Sequence, residues 1–71
     1  MSETMEYIKL MDSEQLQMFN ALLVHTEYDR LEIAERVFYG TVVNMEDAQN
    51  EHSDDIWEYF QLNGTQVALT Y

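Results

Sequence analysis

Residues 45–60 read MEDAQNEHSDDIWEYF, and the conformation assigned to them decides the fold. The stretch holds Glu46, Asp47, Glu51, Asp54, Asp55 and Glu58, with no Lys or Arg among them. As one continuous helix it places Asp47, Glu51, Asp54, Asp55 and Glu58 at i, i+4, i+7, i+8 and i+11, on one face. Ala48, Ile56 and Phe60 then turn inward, near Met45 and His52. Five like-charge pairs sit one turn apart on that face, and at about 0.2–0.5 kcal/mol each they cost roughly 1–2.5 kcal/mol. The competing reading starts separate short helices at Ser53 and at Glu46–Asp47, where carboxylates favour the positive end of the helix dipole. The first reading predicts a third helix over some or all of residues 45–62. Gly64 of the Asn63–Gly64 pair would end it in a left-handed conformation.

Downstream, TQVALTY (65–71) alternates Val67, Leu69 and Tyr71 against Gln66, Ala68 and Thr70, which predicts a strand. A strand needs a partner for its backbone groups. The clear candidate is EYIKLM (6–11), with Ile8 and Leu10 on one side. Upstream of the acidic stretch, Asp12 or Ser13 caps a helix whose Leu16, Met18, Phe19, Leu22 and Leu23 form a broad apolar face through Val24. The pattern pauses at HTEYD (25–29). A second helix follows on Leu31, Ile33, Ala34, Val37 and Phe38, with Glu32 four residues before Arg36 and Gly40 as its stop. TVVN (41–44) stays open between loop, strand and helical continuation. The expected fold is α+β and mainly helical, about three helices with short N- and C-terminal strands pairing. The alternative is a small all-α bundle with a loose C-terminal tail. No composition shift divides residues 1–71, so one small domain is expected.

The chain has 71 residues, 14 acidic and 3 basic, for a formal charge of −11. Hydrophobic residues make up 46%, too many for intrinsic disorder. Residues 3–14 carry −3, residues 27–36 carry −2 and residues 46–58 carry −6. Such a balance repels nucleic acid and anionic membranes and attracts basic surfaces. Lys9, Arg30 and Arg36 are scattered among acids and make no basic stripe. Glu27, Asp29, Glu32 and Glu35 form a secondary acidic surface. There is no cysteine, no apolar run near the roughly 20 residues that span a bilayer, and no basic, apolar leader in MSETMEYIKL (1–10). A cytoplasmic protein is expected, in a bacterial host if phage-encoded.

The chemistry of common sites is missing. His52 with Glu51, Asp54 and Asp55 offers ligand types but matches no zinc spacing, and DAQNEHSDDIWE (47–58) lacks the Gly an EF-hand needs at its sixth position. With only Gly40 and Gly64 there is no phosphate-cradling loop, and no nucleophile motif is present. His25 reads as a boundary residue. No catalysis, cofactor or metal is expected. The acidic stretch instead resembles, in composition alone, small acidic inhibitors that imitate DNA, many of them phage-encoded. Over about 18 Å of helix its six acids give one charge per about 3–3.5 Å, near the roughly 3.4 Å phosphate spacing of one DNA strand.

The leading expectation is a non-enzymatic inhibitor that occludes the nucleic-acid groove of a basic partner: a restriction enzyme, CRISPR effector, repair nuclease or nucleoid protein. Glu46, Asp47, Glu51, Asp54, Asp55 and Glu58 supply charge, and Trp57, Tyr59 or Tyr39 short-range affinity. The alternatives are an acidic interaction module, such as an antitoxin or transcription-machinery adaptor, and a small homodimer whose charge only solubilises it. A homodimer is expected in either case, because so small a core is marginal and a terminal strand invites pairing across chains.

Overall fold

The computed structural model describes residues 2–71. Helix α1 (Glu3–Leu10) is followed by α2 (Ser13–His25) and α3 (Arg30–Tyr39). Strand β1 (Val42–Asn44), helix α4 (Met45–Asn50), and strands β2 (Ile56–Leu62) and β3 (Thr65–Thr70) complete the chain. The sheet is antiparallel in the order β1-β3-β2. The α+β, mainly helical class holds, while the arrangement inside it differs at three places.

The first difference is the N-terminus. Residues 6–11 do not form a strand: Ser2 accepts the Met5 N–H through its side chain and starts α1. Helical spacing puts Tyr7 and Ile8 against the core, and α1 packs on α3, leaving Leu10 exposed. The expected pairing of the two chain ends therefore fails.

The second lies in the acidic stretch. The helix stops after one and a half turns, a turn covers residues 51–55, and Ile56–Leu62 is extended. Phe60 and Leu62 point inward while Tyr59 and Gln61 are exposed, the period of two that a half-buried strand requires. Asn63 (φ 53°) and Gly64 (φ 81°) form a two-residue hairpin turn, pairing Leu62 with Thr65. Positive φ at both positions is what the right-handed twist of a tight hairpin favours, and Asn-Gly tolerates it best. The pair therefore reverses a strand; it does not stop a helix.

The third is the C-terminal segment. It forms a strand as expected, not the loose tail of the alternative, but it is the central strand and both of its edges are taken. This removes it as a place for a second chain to pair. The free edges of the sheet belong to β1 and β2.

Helices α2 and α3 cover one face of the sheet. Met18, Phe19 and Leu22 from α2 meet Ile33, Ala34 and Val37 from α3 over Phe60 and Leu69, with Met11 closing one end. Helix α4 packs against β1 and β3, and its Ala48 is fully buried apart from that core cluster. The helix starts are well specified. Asp12 and Gln15 form a reciprocal capping box, Asp29 accepts from Leu31 N–H, and Asn44 accepts from Asp47 N–H. Gly40 caps α3 with φ −83°, so its role is closeness, not handedness. A Cβ there would lie 2.4 Å from the Thr70 carbonyl oxygen and 2.6 Å from that of Arg36.

Candidate interaction surface

The acids of residues 46–58 are displayed by three different elements. Glu46 and Asp47 occupy the first turn of α4, as the short-helix reading expects, with Asn44 as the cap. Glu51 closes the helix, and Asp54 and Asp55 lie in the turn, where no helix begins at Ser53. These five carboxylates are exposed. They do not share a helix face, so the regular ladder does not form. The phosphate-like spacing computed from it goes too. Breaking the helix also removes the one-turn-apart repulsions between Glu51, Asp54, Asp55 and Glu58.

The turn is held at its backbone. Asp55 N–H donates to the His52 carbonyl at 2.9 Å, and Tyr71 N–H donates to the Asp55 carbonyl at 2.9 Å. His52 Nδ1 lies 3.7 Å from Asp55 Oδ2, so a protonated His52 would pair with that carboxylate. Tyr71 in turn lies under the Arg36 guanidinium, 4.8 Å from ring centroid to carbon, a cation–π geometry. The C-terminal residue thus links the acidic turn to α3.

Glu58 behaves differently from the other five. It is half-buried, and its Oε1 accepts the Tyr28 hydroxyl at 2.9 Å while Oε2 accepts Tyr59 N–H at 3.1 Å. Tyr28 comes from the α2–α3 connection, so this contact ties that connection to β2. The hydrogen bond to Glu58, then the carboxylate's charge, then desolvation raise the Tyr28 hydroxyl above its ordinary value. Tyr28 stacks on Trp57, with centroids 4.7 Å apart and planes tilted by 37°. Trp57 is half-buried against the core at a β-bulge between Ile56 and Glu58. The bulge gives Trp57 no partner of its own on β3 and re-aims its side chain.

Of the secondary acids, Asp29 is spent in part on capping α3, and Glu27, Glu32 and Glu35 are exposed. A separate aromatic cluster joins α1 to the end of α3. The Tyr7 ring lies 5.3 Å from Phe38 and 5.8 Å from Tyr39, which is 69% exposed. Hydrogen bonding to Tyr39 first, then desolvation, pushes the Tyr7 hydroxyl up to about 12.

A groove of about 640 Å³ runs between the α2–α3 connection and the free edge of β2. His25, Thr26, Glu27, Tyr28, Glu58 and Tyr59 line it. Sequence reading named Glu27, Glu58 and Tyr59 but missed Tyr28, because only the tertiary fold brings residue 28 to residue 58. Among the described residues, no cluster of three or more His, Asp or Glu side chains is placed to hold a metal ion. Nor is any helix long and apolar enough to cross a membrane. Comparison with protein-family models, curated proteins and solved structures finds no match for this chain.

Proposed function

We propose that this protein is a non-enzymatic acidic inhibitor that binds a basic, nucleic-acid-handling protein and blocks its DNA or RNA groove. One observation carries the reading: Glu46, Asp47, Glu51, Asp54 and Asp55 are all exposed, on one short segment that contains no Lys or Arg. Most surface acids are interspersed with bases, which lowers self-repulsion. Here no base is interspersed, and a cationic groove would supply the missing countercharge. Long-range attraction supplies on-rate and selects against anionic competitors. The mimicry is one of net charge and not of phosphate spacing, since the carboxylates are carried on a helix, a turn and a strand. On this reading the protein acts in the cytoplasm, that of a bacterial host if it is phage-encoded.

Affinity capture from a bacterial lysate tests this. Wild-type protein is compared with a variant carrying Glu46→Gln, Asp47→Asn, Glu51→Gln and Asp54→Asn, none of whose side chains fills the core. Wild type should retain a basic nucleic-acid-binding protein at low salt, and added duplex DNA should release it. The variant should not retain it. Equal retention by both, or tight binding of duplex DNA by the pure protein, contradicts the proposal.

A further inference from the structure

We infer that the groove between the α2–α3 connection and β2 is an arginine seat, in which a guanidinium of a basic partner stacks on Tyr59 and bonds to Glu27 and Glu58. The inference deepens the proposed function and rests on it, since it names the residue type through which the partner engages. Three features on one short path support it.

The first is charge. Glu27 and Glu58 contribute two carboxylates to the lining, and His25 is the only lining residue able to take a positive charge. The second is unused hydrogen-bonding capacity. Each Glu58 oxygen accepts one bond, from Tyr28 or from Tyr59 N–H, while a carboxylate offers about four acceptor sites. Those two bonds also fix the carboxylate's orientation, so a ligand meets it preorganised. The third is aromatic surface. Tyr59 is 41% exposed and Tyr28 38%, and one face of Tyr28 is taken by Trp57, which leaves Tyr59 as the open ring.

Chemistry favours arginine over lysine. The guanidinium is planar, so it stacks on a ring while its N–H fork reaches carboxylates. An ammonium is a more strongly hydrated point charge and satisfies one requirement at a time. The chain already contains the stacking half of this contact, where Arg36 lies over Tyr71.

The test needs no cellular partner. A short Gly/Ser-framed peptide carrying two arginines is titrated into the labelled protein and followed by NMR, with the two-lysine peptide as control. The arginine peptide should move the amides of Tyr28, Glu58 and Tyr59, and should bind about three- to fivefold tighter than the lysine peptide. Tyr59→Leu should erase that preference and Tyr59→Phe should keep it; Glu27→Gln should weaken both peptides. Equal affinities, or shifts confined to residues 46–55, overturn the inference. If the peptide preference holds while lysate capture fails, the groove stands and the proposed function falls. If capture holds without the preference, the reverse follows.

Discussion

Replacing Gly40 by Ala should destabilise the protein, although its backbone angles alone argue the opposite. At φ −83° and ψ 172° any residue is allowed, and removing a glycine from the unfolded chain would normally stabilise by about 0.4–1 kcal/mol. The new methyl, however, would sit 2.4 Å from the Thr70 oxygen and 2.6 Å from the Arg36 oxygen. Both are backbone atoms and neither can swing aside. Arg36 O is held by Gly40 N–H at 2.8 Å, and Thr70 ends the central strand, with its N–H on Thr41 O at 3.0 Å. Its hydroxyl oxygen accepts Thr41 N–H at 2.9 Å. Relieving the clash pulls β3 from the end of α3, at an overpacking cost of about 1–3 kcal/mol plus about 1 kcal/mol for a weakened hydrogen bond. Net of the glycine term, a loss of about 1–3 kcal/mol remains. In a domain this small each kcal/mol moves Tm by about 4–8 °C, so Tm should fall by about 5–20 °C. Calorimetry and urea unfolding read this directly. A Tm equal to or above wild type would refute the close approach of α3 to β3.

Other expectations follow from the same contacts. Leu22→Ala, at a fully buried position between α3 and the sheet, should cost about 2–5 kcal/mol, measured by urea unfolding with an unchanged m-value. Tyr7 and Tyr28 have raised hydroxyl pKa values in the folded state, so their hydrogen bonds should stabilise fully below the ordinary value of 10.0. That stability should be lost as pH rises through the folded values, near 12 for Tyr7. Tyrosinate absorbance should show Tyr7 and Tyr28 ionising above pH 10.0, and Tyr28→Phe should remove one late step. Asn63→Val should weaken the hairpin by about 1–2 kcal/mol, because a β-branched residue resists φ 53°; thermal unfolding checks it.

What the sequence disclosed depended on which signal was local. The faces of α2 and α3 were legible because Met18, Phe19, Leu22, Ile33, Ala34 and Val37 repeat at helical spacing and all become core. The alternation in residues 65–70 likewise marked β3. EYIKLM misled because Tyr7 and Ile8 are β-compatible in isolation, while the Ser2 cap and packing on α3 settle the helix. In the acidic stretch, carboxylates at helical spacing suggested a face, but exposed charges do not choose a conformation. Burial of Phe60 and Leu62 does, aided by the β-branched and aromatic run Ile56–Phe60 and the turn at Asn63–Gly64. Of the site, the exposed acids could be read from composition. The Tyr28–Glu58 contact could not, since it spans thirty positions of sequence.

The central claim, that the α4–β2 segment occupies a partner's nucleic-acid groove, meets its most direct test in displacement of DNA. The captured partner is loaded with fluorescent duplex DNA, and this protein is titrated in at low and at moderate salt. Wild type should release the DNA without forming a ternary complex, and release should weaken as salt shortens the reach of the charges. The variant with Glu46, Asp47, Glu51 and Asp54 neutralised should need at least about tenfold more protein. A stable complex containing partner, DNA and this protein together, or displacement by the variant at wild-type concentration, would contradict the account.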